Sequence, residues 1–166
     1  MLYAEVFKAL NKEGVKYAVV GGMAVVLYGY VRFTADLDLI VCLDEKNVDK
    51  FFGTLTKLGY LPKVPVTKEQ FKDKKQRSLW RKEKGMIVFS FFHPKEHLKL
   101  IDVFIDEPIK FDIIKKSLKK IKVAGITIPL LSLKHLIKLK EKAGRAKDLI
   151  DLANLKAITK LSKNEK

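Results

Sequence analysis

The sequence predicts an α/β (α+β) fold, a mixed β-sheet flanked by helices, because short apolar runs alternate with helical patterns along the chain. The chain has 166 residues, which suits one domain. It contains no internal repeat and no low-complexity linker. We therefore expect a single domain over residues 1–166, with a core over 1–128 and a C-terminal helical pair over 129–166.

The first part of the chain divides at its glycines and at one helix cap. An amphipathic helix opens the chain and stops at Gly14, and a short buried strand follows over 16–21. Residues 23–29 are β-prone, but the glycines before and after them favour a short buried helix. Residues 36–43 read as a strand, after which Asp44 can cap a further helix.

The second part opens with Thr67 and Gln70, whose spacing is that of a capping box. This box begins a basic segment that is helical in part and extends to about Lys84. The further elements expected, in chain order, are strands over 85–93 and 97–105, a helix over 108–120, a hairpin over 121–129, and a helical pair over 133–143 and 145–158.

The chain carries a large excess of positive charge. Lys and Arg number 34 against 19 Asp and Glu, a net charge of +15, which attracts polyanions such as nucleic acid. Residues 63–85 contain nine Lys or Arg with Phe71 and Trp80 between them. These aromatic rings either stack on unpaired bases or pack inward, and the lysines alternatively serve only to solubilise the chain.

Two aspartates, Asp36 and Asp38, stand one residue apart at the start of an apolar run. Side chains alternate along a strand, so both carboxylates point to the same face, with α-carbons roughly 6.5–7 Å apart. Like charges on one face repel unless a cation lies between them. The pair therefore indicates a divalent cation, and Mg²⁺ prefers such oxygen ligands and shares them with phosphates.

Two adjacent glycines, Gly21 and Gly22, follow a strand and open the short helix that precedes the aspartates. Glycine lets the backbone approach a ligand closely, and a helix start offers free N–H groups to phosphate oxygens. Arg32 and Thr34 lie just before the aspartates, where either one contacts a phosphate or fixes the loop. A Gly-Gly alone is usually a turn and an Asp-x-Asp alone a solvated edge, but their combination is specific.

The stretch VVGGMAVVLYGYVRFTADLDLIV resembles the core motif of the DNA polymerase β-like nucleotidyltransferase superfamily. The resemblance is closest to the AbiEii-type and MNT-type toxin branch of small bacterial and archaeal proteins. The matching positions are Gly21, Gly22, Gly29, Arg32, Thr34, Asp36 and Asp38. The resemblance implies an enzyme with a nucleotidyltransferase fold that moves a nucleoside monophosphate from an NTP to an acceptor hydroxyl. It also implies that Mg²⁺, or Mn²⁺ in its place, is held by the aspartates.

The resemblance further implies a third carboxylate on a neighbouring strand. Asp102 is the better candidate because a buried aspartate inside an apolar strand is unfavourable unless it is paired or metal-bound, and Asp106 is the alternative. The C-terminal helical pair also resembles that branch, which implies that Lys140 or Arg145 contacts the nucleotide phosphates. Alternatively, Arg145 simply pairs with Asp148 on the helix surface.

The resemblance implies two partners, an NTP and an acceptor. The expected acceptor is RNA of a tRNA-like kind or a protein, and some members of the superfamily use a small molecule instead. A toxin role would imply a cognate antitoxin. A catalytically silent nucleotide- or RNA-binding module of the same fold is the alternative. One cysteine and no apolar run of membrane-spanning length lead us to expect a cytoplasmic protein with no membrane partner.

Overall fold

A seven-stranded mixed β-sheet runs through the protein and confirms the predicted α/β class. The computed structural model describes residues 2–164, with side chains through residue 160. Its strands are β1 (Tyr17–Val19), β2 (Leu37–Val41), β3 (Leu61–Pro62), β4 (Val88–His93), β5 (Glu96–Phe104), β6 (Lys119–Val123) and β7 (Ile126–Leu130). Its helices are α1 (Ala4–Lys12), α2 (Gly21–Leu27), α3 (Glu45–Lys57), α4 (Lys68–Lys72), α5 (Lys74–Lys84), α6 (Phe111–Ile114), α7 (Leu133–Ala143) and α8 (Ala146–Asn164).

The strands lie in the order β3-β4-β5-β2-β1-β7-β6. The pairs β2/β5 and β1/β7 are parallel, whereas β1/β2, β3/β4, β4/β5 and β6/β7 are antiparallel. Strand β2, which follows the short helix and its loop, therefore lies between β1 and β5 in the middle of the sheet. A central strand has neighbours on both sides, so its side chains can meet groups from three strands.

The two faces of the sheet have different chemistry because side chains alternate along each strand. One face carries the apolar core, where the rings of Phe51 and Phe52 on α3 pack against Phe91 with centroids 5.8 and 5.1 Å apart. On α1, Phe7 stacks on Tyr17 of β1 at 6.4 Å. The opposite face, towards α7 and α8, is left for polar groups of β2, β4 and β5.

Two predicted helix starts are confirmed. Asp44 caps α3 by accepting the backbone N–H of Asn47 at 2.8 Å. Thr67 and Gln70 form a reciprocal capping box at the start of α4. The buried side chain of Asn47 also accepts the Lys16 N–H and donates to the Lys16 and Cys42 carbonyls. Asp44 and Asn47 together thus fix the start of α3 against the segments that flank β1 and β2.

The expected helix over 108–120 is wrong. Only α6 is helical in this region, and Lys119 and Lys120 lie in the edge strand β6. The reason is that Ile121 and Val123 alternate with lysines, and this pattern pairs along β7 as an antiparallel hairpin.

The C-terminal helical pair is confirmed as α7 and α8, with Gly144 ending α7 in the left-handed conformation. Strand β7 continues to Leu130, so the sheet includes residues on both sides of the expected boundary at residue 128. Within the described residues, every helix is too short or too polar to cross a bilayer.

Tyr3 ties the start of the chain to the centre of the sheet. The residue is 1% exposed, and its hydroxyl lies within hydrogen-bond distance of the carbonyl oxygens of Ala35 and Leu100. The same oxygen accepts the Leu100 N–H at 3.1 Å. Since Ala35 precedes Asp36, this contact holds the end of the α2–β2 loop against β5.

We predict that Tyr3→Phe lowers the free energy of unfolding by about 1–2 kcal/mol, because it leaves buried backbone groups of the loop and of β5 without their partner. Urea unfolding followed by circular dichroism measures the loss. Tyr30→Phe is the matched control, since the Tyr30 hydroxyl has no hydrogen-bond partner among the described residues. Equal stability of the two variants would contradict the role given to Tyr3.

Candidate active site

A cleft of about 390 Å³ on the polar face of the sheet contains nine of the residues that the sequence singled out. Its lining includes Gly21, Gly22, Arg32, Thr34, Asp36, Asp38, Asp102, Lys140 and Arg145. These residues come from α2, the loop after it, β2, β5, α7 and the turn before α8. The fold thus brings together segments that are far apart in the chain.

The carboxylates of β2 and β5 lie side by side because the two strands are parallel and in register. Asp38 is the direct partner of Asp102, and Asp36 stands one residue before β2 on the same face. Adjacent strands are about 4.8 Å apart, so three negative groups share a small area. Asp106 lies beyond the end of β5 and pairs with Arg81 at 3.1 Å, outside this cleft. This placement favours Asp102 over Asp106 as the third carboxylate.

The electrostatic effect of this grouping is largest at Asp38. Burial, and after it the charges of Asp102 and Asp36, raise the pKa of Asp38 to about 6, although the Gly22 N–H and Lys140 act to lower it. Burial also raises the pKa of Asp102, where a hydrogen bond from the Ser90 hydroxyl at 2.6 Å opposes the effect. Protonation of a carboxylate or binding of a cation would remove this charge repulsion, and either is therefore favourable here.

The two glycines are required by close packing at the floor of the cleft. A Cβ on Gly21, whose φ is +63°, would lie 1.9 Å from Oδ2 of Asp38. A Cβ on Gly22 would lie 2.7 Å from Oγ1 of Thr34 and 3.2 Å from Nη2 of Arg32. The absence of side chains at both positions lets the carboxylate and the loop approach the backbone of α2.

The donor set has the chemistry that Mg²⁺ requires, since three carboxylates supply hard oxygen ligands on one face. Within residues 2–160, however, no three His, Cys, Asp or Glu side chains converge as a ready-made metal cage. Asp38 lies against Gly21, and Asp102 accepts the hydrogen bond from Ser90. Asp36, Asp38 and Asp102 therefore fit a divalent cation in the chemistry of their oxygens, while Asp38 accepts from the Gly22 N–H and Asp102 from the Ser90 hydroxyl.

The three predicted cations belong to a buried ion network that joins the α2–β2 loop to the C-terminal helices. Arg32 contacts both oxygens of Asp151 at 2.6 and 2.9 Å. Lys140 bridges Asp151 and Asp148, each at 2.8 Å, and Arg145 binds Asp148 at 2.7 Å. The expected alternative for Arg145, pairing with Asp148, is therefore present.

This network leaves one positive charge uncompensated, because three cations share two carboxylates. Burial opposes the charge of Asp148, but hydrogen bonds from Arg145 and Lys140 outweigh it and lower its pKa to about 2. The side chain of Arg145 is 60% exposed, whereas that of Lys140 is 6% exposed. Arg145 is therefore the member best placed to contact a ligand in the cleft.

Comparison with solved structures places this architecture among nucleotidyltransferases. The lincosamide antibiotic adenylyltransferase LnuA in its lincomycin-bound form superposes with a TM-score of 0.63 at 17% identity, covering 95% of this chain and 96% of that one. The chain has the nucleotidyltransferase fold. ANT(2″)-Ia in complex with adenylyl-2″-tobramycin gives a TM-score of 0.62 at 15% identity, over 99% of this chain and 91% of that one.

A nucleotidyltransferase-like antigenic protein from Paracoccidioides brasiliensis shares this nucleotidyltransferase fold, with a TM-score of 0.54 at 17% identity. The match covers 94% of this chain and 72% of that one. At the level of sequence, no family model and no curated protein matches the chain. The likeness therefore lies in the fold, and the expected closeness to the toxin branch stays a prediction.

Sequence reasoning missed two contacts of the site. Ser90 of β4 is in register with Asp102, and its only sequence signal is one small polar residue within VFSFFH. Asp151 partners Arg32 across 119 positions of the chain, which no local pattern reveals. Phe71 and Trp80 are 0% and 5% exposed, so they pack inward and are not free to stack on bases.

We predict that Asp38→Asn stabilises the metal-free protein at neutral pH. The folded protein holds the Asp38 proton more tightly than the unfolded chain does, because its pKa is raised to about 6. The free energy of unfolding of the wild type therefore falls as the pH rises from about 4 to about 6. The variant should therefore gain on the order of 1–2 kcal/mol at pH ~7.5 and nothing at pH ~4. Urea unfolding at both pH values measures this, and an equal gain at both would contradict it.

We predict that Asp151→Ala lowers the free energy of unfolding by about 3 kcal/mol, because it removes a carboxylate partner of the buried Lys140 and of the partly buried Arg32. Asp112→Ala is the matched control, since it breaks only an exposed pair with Lys115 and should lower the free energy of unfolding much less. Chemical unfolding of both variants measures the difference, and similar losses would argue against the network as a structural link.

Proposed function

We propose that this protein is a metal-dependent nucleotidyltransferase that moves a nucleoside monophosphate from an NTP to an acceptor hydroxyl. The observation that supports this most is the register of Asp38 with Asp102 beside Asp36, inside a cleft that also holds paired glycines and cationic side chains. Three carboxylates this close favour a cation, and the cations of the cleft favour phosphate.

In the proposed reaction, the acceptor oxygen attacks the α-phosphorus in line. A bond forms between that oxygen and phosphorus, the bond to the β-phosphate oxygen breaks, and pyrophosphate leaves. In this proposal Asp102, whose pKa burial raises, would receive the hydroxyl proton. Mg²⁺ held by Asp36, Asp38 and Asp102 would neutralise phosphate charge and orient the reacting groups.

The remaining cations of the cleft serve the triphosphate in this proposal. Arg145 combines exposure with the surplus charge of the ion network, so it is the first candidate for a phosphate contact. Arg32 and Lys140 are held by carboxylates, and they stabilise the wall against which the nucleotide lies. Gly21 and Gly22 keep the floor of the cleft open at the backbone.

The chemical class of the acceptor is inferred from the charge of the chain. The two antibiotic-modifying structures that share the fold are named for lincosamide and tobramycin chemistry, which points to small molecules for those proteins. For this chain, the net charge of +15 supports an RNA or protein acceptor of acidic character. A toxin role with a cognate antitoxin remains a prediction from the resemblance alone.

Label transfer tests the proposal. Purified protein is mixed with each α-labelled NTP, Mg²⁺ or Mn²⁺, and a cell lysate separated into RNA, protein and small-molecule fractions. We expect label in one fraction, with Asp36→Asn and Asp38→Asn each losing at least about a hundredfold in rate, because charge stabilisation of the transition state is lost.

Asp49→Asn is the matched control, because this exposed aspartate pairs with Lys68 and Lys72 away from the cleft, and it should keep full activity. Full activity in Asp38→Asn would overturn the mechanism. An NTP that binds but is never transferred to any fraction would favour the alternative, a silent nucleotide-binding module.

A further inference from the structure

Two more clefts continue from the candidate active site. A middle cleft of about 580 Å³ shares Asp38, Asp102 and Arg145 with the active-site cleft. An outer cleft of about 510 Å³ shares Arg81 and Asp106 with the middle one. The three clefts therefore adjoin in series, from the carboxylates to the basic helix α5.

The middle cleft has apolar walls beside the carboxylates. Val88 of β4, Phe104 of β5 and Leu139 of α7 line it, together with Pro108 and Ile87. Ile87 is 54% exposed, so its side chain is accessible to a molecule in this cleft. The volume is that of a site for one ring-bearing group of nucleoside size.

The residues that line the outer cleft carry a net positive charge, even when the ion pair between two of them is set aside. Arg81 neutralises Asp106 at 3.1 Å, and the oxygens of Glu107 accept the backbone N–H groups of Leu43 and Phe111 at 3.2 and 3.0 Å. The exposed residues Lys74, Lys82 and Lys110 line the cleft as well. The ion pairs of the described residues leave these three lysines without a carboxylate.

We propose that the acceptor is the end of a single-stranded nucleic acid, which lies along these clefts; this rests on the proposed function. The terminal hydroxyl would lie at Asp38 and Asp102, and the terminal base against the apolar walls of the middle cleft. Preceding phosphates would contact Lys74, Lys82 and Lys110 in the outer cleft. Lysines bind phosphate as point charges, so the track reads the strand's backbone and not its sequence.

A compact uncharged acceptor explains less of this arrangement. Such a molecule would fill the middle cleft and leave the lysines of the outer cleft without a partner. A strand uses both clefts, because its bases are apolar on their faces and its phosphates are spaced along one side. Helix α5, whose basic character the sequence already showed, supplies Lys74, Arg77, Arg81 and Lys82 to the outer cleft.

Binding of a labelled strand to the full chain tests the track. Fluorescence anisotropy with single-stranded RNA and DNA of about a dozen nucleotides, at about 0.1 M salt, compares the wild type with Lys82→Glu/Lys110→Glu. We expect at least about tenfold weaker binding in this variant, and a slope of log K against log salt that is smaller by roughly 1.4 for two lost contacts. The RNA and DNA arms show which strand is preferred.

Lys120→Glu/Lys122→Glu is the matched control, because it reverses two exposed charges on the edge strand β6, away from the clefts. It should change affinity less than about twofold beyond the general effect of net charge. Equal weakening by both double variants would overturn the track, as would a wild type that binds neither strand.

Binding of a fluorescent NTP with Mg²⁺, measured on the same samples, separates the two proposals. A protein that binds the NTP and labels only small molecules, with Lys82→Glu/Lys110→Glu unaffected, overturns the track and leaves the proposed function standing. Label at the 3′ end of the strand that is lost in Lys82→Glu/Lys110→Glu, while its NTP binding is retained, supports both.

Discussion

The parallel pairing of β2 with β5 is the constraint on which the rest of this protein depends. It places Asp38 directly beside Asp102, and the antiparallel pairing of β4 adds Ser90 next to them. Burial, and after it the charges of Asp102 and Asp36, raise the pKa of Asp38, so the charged carboxylate destabilises the fold that holds it. The aromatic packing on the other face of the sheet supplies the stability that makes this arrangement tolerable.

The ion network provides the positive counterpart to that negative centre. Arg32, Lys140 and Arg145 are held near the carboxylates of the sheet by two aspartates of α8. Because the pairs are buried, each aspartate fixes the position of its cations more than it adds stability. The C-terminal helices are therefore part of the candidate site, since without them the loop after α2 would lose its anchor.

The local features of the site were predictable from the sequence. Adjacent glycines after a strand and the Asp-x-Asp pattern depend on neighbouring residues, so spacing alone reveals them. The contacts between Arg32 and Asp151 and between Ser90 and Asp102 depend on how strands and helices pack, and no spacing encodes them. The helix expected over 108–120 was wrong at its end, because Lys119 and Lys120 begin an alternating pattern that continues to Val123 and pairs as a strand along β7.

The two ends of the sheet differ from its centre in a way that affects the protein at high concentration. Strand β3 has two residues, and β6 carries Lys119, Lys120 and Lys122 along its length. An edge strand offers free backbone groups to any extended chain that approaches it. A very short edge at one end and a row of ammonium groups at the other disfavour addition of further strands, so the sheet resists growth into aggregates without a covering element.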